Sequence, residues 1–487
     1  MSQRVRNIVE TVCIICGPIS MGIYLELVGP AMHDFKCNVS ANYEEFARAL
    51  VARSLGYFIG SISCGFLCDK FEKRMELFLS ISFLFGAIGT GVAPWSNSLL
   101  FLAFLFLLQG LGQGGIDTCN NTLIAKLWQK KAAAPLTALH FGFGIGALAS
   151  PLIARPFLRA LEVNSTKGNL SLGDYNDTGL LFNDSIVGSP TGFEPNLVPP
   201  YSFSAALTLL FSLVFLIFYF TGLKKTERSN TINIKEEPNS IIVKRQDRKQ
   251  LREIFSPGSC VGGNTFYGFQ IFTLILFFYL NIVGGERAYG KFLFAYATDS
   301  EVQFDNTQAA YLNTIFWLCF TIGRGAAILP SHFVPPHIML FGELAGNVII
   351  TVILAGWSYH IPNVLWVCSG AMGLFLAPVF PAGLAWINLY VELKGMAIAV
   401  IFLGASLGAM VYQYLTGYLF EYYGPKTLMY IMVGYALVLS SCFIVMFLLG
   451  RSHGQRVIPE KVNANAINDN DDSVEEKTRM SPEDDEL

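Results

Sequence analysis

Charge is scarce in this chain. Asp, Glu, Lys and Arg together make up 14% of its 487 residues, against about 25% in soluble domains. So few charges cannot cover a surface that faces water on every side, so a soluble globular protein is excluded. Metal-ligand spacing is also missing: there are six histidines but no CxxC pair and no HExxH helix. No Walker A loop or dinucleotide fingerprint occurs, which argues against chemistry driven by ATP. No cluster of His, Asp or Cys marks a membrane face, so an enzyme is not expected. Of the ten cysteines, Cys13, Cys16, Cys64, Cys68, Cys119, Cys260, Cys319, Cys368 and Cys442 fall in or beside apolar runs. Only Cys37 lies in a loop, and no disulfide framework is expected. No cleavable signal-peptide pattern precedes the first apolar run. The net charge of −3 is spread over loops and tails, and no nucleic-acid partner is expected.

Hydrophobic residues are abundant instead, at 53%. A window of about nineteen residues finds about twelve apolar stretches, near 8–32, 46–68, 77–95, 99–127, 136–158, 201–223, 261–283, 309–329, 338–357, 364–390, 396–420 and 428–449. This is the pattern of an all-α polytopic membrane protein with twelve transmembrane helices in two six-helix bundles, embedded in a lipid bilayer. The expected divisions are a cytosolic N-terminus (1–7), a first bundle (8–223) with an outside loop (159–200), a cytosolic linker (224–259), a second bundle (260–449) and a disordered acidic tail (450–487). Pro378 and Pro381 are expected to kink span ten. Orientation follows from two signals. Lys70, Lys73 and Arg74, then Lys126, Lys130 and Lys131, then the basic linker and Arg451 all lie on one side if both termini are cytosolic. Five glycosylation sequons, at Asn38, Asn164, Asn169, Asn176 and Asn183, then lie together on the other side.

In span four, Gln109, Gln113, Asp117 and Asn120/Asn121 recur at helical spacing and share one face. A carboxylate there is costly unless it meets water, a partner or a cargo. The stripe therefore lines a cavity or forms an interhelical hydrogen-bond seam. Between spans two and three, Gly65, Asp69, Lys70, Lys73 and Arg74 resemble the signature loop of the major facilitator superfamily. An acid at a helix end beside a basic turn makes a breakable latch, which would hold two halves closed on the cytosolic side. The equivalent loop between spans eight and nine, Ser331 to His337, lacks this pattern.

A narrower resemblance rests on Gly29-Pro30, Gly115-Ile116-Asp117-Thr118, His140-Phe141, the run Gly144 to Leu158, Phe316-Trp317, Gly323-Arg324, and Gly373-Leu374-Phe375-Leu376 with Phe380-Pro381. These blocks look like the sodium-dependent glucose transporter branch of that superfamily (the major facilitator superfamily domain-containing 4 type). The resemblance implies two six-helix bundles around a central site and sodium-driven hexose uptake across the plasma membrane. It implies no cofactor beyond the co-transported ion. Composition and spacing leave other readings open: a proton-coupled or facilitative porter of another small polar solute such as urea, or a transport-dead receptor or scaffold.

A sugar offers hydroxyls and an apolar ring face, so its site needs amides or carboxylates and an aromatic surface. The candidates are Gln109, Gln113 and Asn121 in the first half. In the second half they are Gln270, Asn281, Asn313, Trp317, Trp386 and Gln413. Asp117 and Glu26 are the ion-coupling candidates, because sodium prefers hard oxygen ligands. Their spans are also those on which the related fucose permeases carry carboxylates. Counted along the helices, Glu26 lies on the outer side at the depth of Arg53, so a structural Glu26–Arg53 pair is the alternative for it. Asp117 has no evident cation at its depth. Glu286-Arg287 reads as a solvated pair at the outer end of span seven or as a gate. Glu343 and Asn347 in span nine read as a seam or as part of the cavity, the seam being favoured, and His140 as a hydrogen-bonded histidine at a helix end rather than a proton relay.

Overall fold

The computed structural model describes residues 3–128, 133–158, 196–230, 257–392 and 395–454. Its regular structure is helical throughout: α1 (Gln3–Glu26), α2 (Met32–Asn38), α3 (Tyr43–Lys70), α4 (Met75–Val92), α5 (Leu99–Trp128), α6 (Ala133–Ala154), α7 (Val198–Asn230), α8 (Thr265–Asp299), α9 (Asn306–Ala326), α10 (Pro336–Trp357), α11 (Pro362–Leu376), α12 (Val379–Tyr390), α13 (Gly395–Tyr423) and α14 (Lys426–His453). Among the described residues, eleven helical segments are long and apolar enough to cross a membrane, with α11 and α12 counted as one. The twelfth is α9. Its 21 residues reach about 31 Å, but Asn306, Gln308, Asn313, Thr314, Thr321 and Arg324 dilute its hydropathy.

Local chemistry sets several boundaries. Asn42 caps α3 with a reciprocal Glu45 contact, and Asp305 caps α9 the same way with Gln308; each pair satisfies orphan N–H groups of a first turn. Pro378 cannot donate to the helix ladder, and the expected break in span ten falls there, between α11 and α12. Two limits differ from the hydropathy reading. Helix α8 runs 35 residues to Asp299, well beyond 283, so Glu286, Arg287 and Lys291 are interior helix residues. Helix α7 continues to Asn230, so the beginning of the 224–259 linker is helical.

The two halves repeat one packing scheme. In the first, α3 packs on α5, α1 on α6, α4 on α7, and α4 on α5. In the second, α9 packs on α11, α8 on α13, α10 on α14, and α10 on α11. The two main interfaces between halves, α3 with α13 and α6 with α9, exchange under the same relation. The arrangement is that of two bundles related by an internal repeat, with a seam between them. Small residues let the backbones meet. A Cβ on Gly110 of α5 would collide with the Arg53 carbonyl of α3, and one on Gly408 of α13 with the Leu280 carbonyl of α8. Gly110→Val should therefore lower thermal stability in detergent by about 1–3 kcal/mol, the usual cost of overpacking. An unchanged unfolding midpoint would show that α3 and α5 can separate freely.

Candidate transport cavity

The seam is closed at the end of the bundles opposite the chain termini. There α1 ends at Glu26, which is 1% exposed. Its carboxylate accepts from Arg287 Nη1 at 3.1 Å and from Lys291 Nζ at 2.5 Å, both on α8 of the other bundle. Lys291 also donates to the Leu25 carbonyl at 2.5 Å. Arg53 donates to that carbonyl at 3.3 Å and lies over the Phe106 ring. The Glu26–Arg53 alternative is thus not what forms. The last carbonyls of α1 are orphan acceptors at the negative end of its dipole, and Leu25 takes the guanidinium while Glu26 pairs across the seam. Nor is Glu286-Arg287 a solvated pair: Arg287 turns to Glu26, and Glu286 faces Arg324 at 3.6 Å.

Further ties surround this pair. The Tyr43 hydroxyl donates to Asp299 at 2.6 Å, and its backbone N–H donates to Glu421 at 2.8 Å. His33 of α2 lies 3.1 Å from Asp299. Tyr414 and Tyr422 donate to Glu44, and Arg155 donates to Tyr311 at 2.7 Å. All of these contacts join the two bundles toward this end.

Asp117 sits in the later half of α5, toward the end that carries the termini. Its side chain is partly exposed, the Tyr57 hydroxyl of α3 faces its carboxylate, and Arg287 and Arg324 of the other bundle act on it electrostatically. Arg287 also lies over the Phe143 ring of α6 at 5.6 Å, and Arg324 over Phe320 at 4.5 Å. No ion pair reaches Asp117 among the described residues; Arg287 and Arg324, both distant in sequence, pair with Glu26 and Glu286 and act on it at longer range. His140 is exposed on the same side, not a bonded helix-end residue among the described contacts. The site is therefore a partly exposed acid on α5, with the Tyr57 hydroxyl beside it and two arginines of the opposite bundle acting on it. Such a set can exchange charge partners as the bundles rock.

The sequence profile of the Major Facilitator Superfamily matches residues 12–166 and 289–471. The chain belongs to the major facilitator superfamily. It is therefore a multi-pass membrane protein of a transporter family, not an enzyme. Sodium-dependent glucose transporter 1 of Danio rerio is 29% identical over 461 residues, covering 93% of this chain and 72% of that protein. Major facilitator superfamily domain-containing protein 4A of the same species is 29% identical over 427 residues, covering 82% and 80%. The fold is shared with the E. coli fucose:proton symporter (TM-score 0.56, 16% identity, 92% of this chain and 99% of that one). It is also shared with a bacterial homolog of the human lysosomal transporter Spinster (TM-score 0.60, 13% identity, 93% and 98%).

Within this superfamily architecture the sequence-derived candidates take different places. Asn121 and Gln270 are partly exposed like Asp117, although the Asn121 amide is folded onto the Asp117 carbonyl at 2.7 Å. Gln109 is fully buried and donates to Thr90 of α4 at 3.4 Å, within its own bundle; Gln113 is buried beside it in sequence register. Asn281 is held by Tyr412, which donates to it at 2.6 Å, and itself donates to the Phe277 carbonyl. Asn313 reaches the Gly290 carbonyl at 3.5 Å, and Trp317 meets Phe143 across the seam at 6.3 Å. The Asn313 Oδ1, Trp317 Nε1 and Gln413 Oε1 atoms are buried without a partner among the described residues. Trp386 stacks on Tyr390 and Phe443 inside the second bundle. In this state Asp117, Asn121 and Gln270 keep partial exposure, while the other candidates are buried.

Of the latch, Gly65 and Lys70 lie in the last turns of α3, and Lys73 and Arg74 in the following 3-10 turn. The Asp69 side chain lies outside the described residues. Lys70 and Arg74 lie over Phe71, and no described contact ties them to the second bundle. The sequon residue Asn38 is exposed at the end of α2; Asn164, Asn169, Asn176 and Asn183 lie outside the described residues. Hydropathy missed Lys291, Tyr57 and Tyr412. A lone lysine within the apolar run 288–297 was the available signal for the first.

Proposed function

We propose that this protein is a secondary active porter that couples sodium entry to uptake of glucose or a related hexose by alternating access. The observation that carries the reading is the partly exposed Asp117, on which Arg287 and Arg324 of the other bundle act. Arg287 stands between two acids, paired with Glu26 and acting on Asp117. A cation arriving at Asp117 releases Arg287 to Glu26 and so favours closure at the end away from the termini. Loss of the cation draws Arg287 back and loosens that closure. Ion binding thus biases the seam in the direction that uptake requires. Gln109, Gln113, Asn121, Gln270, Asn281, Asn313, Trp317, Trp386 and Gln413 supply the amides and indoles for a sugar as the seam changes shape. The Asp69 loop latches the opposite state. Support for sodium, a hexose and the plasma membrane comes from the resemblance to sodium-dependent glucose transporters, and support for cytosolic termini from the basic loops and sequons.

The deciding experiment is uptake of radiolabelled hexose into proteoliposomes, with inward gradients of sodium, of protons or of neither. Stimulation by sodium supports the reading. Stimulation by protons alone assigns the same scaffold to the proton-coupled class, and equal uptake under all three assigns it to the facilitative class. No uptake of any small polar solute, urea included, favours a receptor or scaffold.

A further inference from the structure

Beyond the seam, the second bundle buries an acid that the proposed cycle does not use. Glu343 of α10 is 9% exposed, and its Oε2 has no hydrogen-bond partner among the described residues. No basic side chain among the described residues is ion-paired with it. One turn further, on the same face, Asn347 is fully buried, and neither its Oδ1 nor its Nδ2 is hydrogen-bonded. The Tyr435 hydroxyl of α14 faces Asn347 without a well-formed hydrogen bond to it. Thr351, the next polar residue on this face, already donates to the Asn347 carbonyl at 2.9 Å. Buried oxygens of Glu343 and Asn347 on α10 and of Tyr435 on α14 thus have no well-formed hydrogen bond among the described residues.

A seam of amides would have its hydrogen bonds made, so the expected structural reading of Glu343 and Asn347 does not account for these atoms. An ionised carboxylate with no counter-charge is not sustained inside a membrane-spanning bundle. Something must neutralise it. We propose that Glu343, with Asn347 and Tyr435, forms a monovalent cation site inside the second bundle, in which a sodium ion or a proton neutralises the carboxylate. Carboxylate, amide carbonyl and phenol oxygens are the hard donors that such a cation takes. The site also reaches the seam. The Tyr435 ring lies against Gly285, where a Cβ would stand 2.5 Å from it, and its hydroxyl is influenced by Glu286, the partner of Arg324. Occupancy at Glu343 can therefore be felt at the acid and arginines of the cavity.

The other titratable groups on the helices packed against α10 are few. Helix α11 carries Cys368, beside Tyr289. Helix α12 carries Tyr390, stacked on Trp386. On α14, Cys442 turns to the Leu274 carbonyl, Tyr430 is exposed, Lys426 stands in the first turn, and Arg451 and His453 stand in the last. His337 begins α10 itself.

The inference rests on the ion-coupled part of the proposed function but needs no cargo and no gradient, so the two can fail separately. The test is thermal unfolding of the purified full-length protein in detergent, with sodium chloride exchanged for choline chloride at constant ionic strength, on both sides of neutral pH. If sodium is the occupant, the wild-type midpoint rises with sodium. Glu343→Gln abolishes the rise, Asn347→Leu weakens the apparent affinity at least about ten-fold, and Asp117→Asn retains it. If the proton is the occupant, sodium has no effect. The wild-type midpoint then falls as pH rises, because the folded form holds a proton that the unfolded form releases, and Glu343→Gln removes that component. Asn347→Leu keeps the acid and gives the same comparison should the glutamine variant not fold. Salt and pH titrations of the variants that overlay the wild type, or a wild type indifferent to both, overturn the proposal.

Discussion

Asp117→Asn is expected to lower ion-driven uptake about 100-fold or more, equivalent to about 2.7 kcal/mol, while surface expression and the unfolding midpoint stay at wild-type values. The substitution preserves size and can still accept from the Tyr57 hydroxyl that faces the carboxylate. What it removes is the charge that Arg287 and Arg324 feel from across the seam. A charge pair is worth roughly 4 kcal/mol at 4 Å in a partly solvated site and falls inversely with distance, which is enough to account for the loss. The packing of α5 does not depend on this side chain. It is partly exposed, whereas Gln109 and Gly110 hold the helix against α4 and α3. Exchange of labelled for unlabelled hexose, which moves no net ion, should persist within a few-fold. Sodium-stimulated uptake at the wild-type level in this variant would remove Asp117 from the coupling machinery.

The features legible in the sequence are those that neighbouring residues encode. The apolar runs, the break at Pro378 and the caps at Asn42 and Asp305 depend on side chains within a few positions of the backbone they control. The polar face of α5 was also visible, because helical spacing alone places Gln109, Gln113 and Asp117 together. The partner that each residue takes was not visible. Gln109 finds Thr90 and Asn281 finds Tyr412 through tertiary packing. The charges of α8 show the difficulty most clearly. A window that scores hydropathy ends span seven before Glu286, because three charges in six residues look like a loop. The structure keeps them in the helix because their counter-charges arrive from afar: Glu26, more than 260 positions away, for Arg287 and Lys291, and Arg324 for Glu286. Long-range ion pairs make a charged segment compatible with a membrane-buried seam, and no local pattern records them.

The same distance makes Lys291 a sensitive probe of the cycle. Lys291→Met should shift the protein toward the state open at the end away from the termini by more than about 100-fold. The lysine is fully buried, and its ammonium donates to the Glu26 carboxylate and the Leu25 carbonyl, both on the other bundle. Neither contact can survive separation of α1 from α8, so their energy belongs to the closed state alone. Methionine keeps the length of the side chain and packs well among apolar neighbours, so folding of the second bundle should be preserved. Removing one partner of a buried charge pair costs about 3–5 kcal/mol, because the acid stays buried with less compensation. Here Arg287 remains on Glu26, which puts the expected loss near the lower figure. Spin labels on the native Cys37 and on Tyr423→Cys report the change directly, since Cys37 and Tyr423 are exposed on different bundles at the closing end. Wild type should give one short-distance population, and Lys291→Met a longer one that dominates. If the two distance distributions superimpose, the Glu26 cluster holds α1 in shape without setting the balance between states.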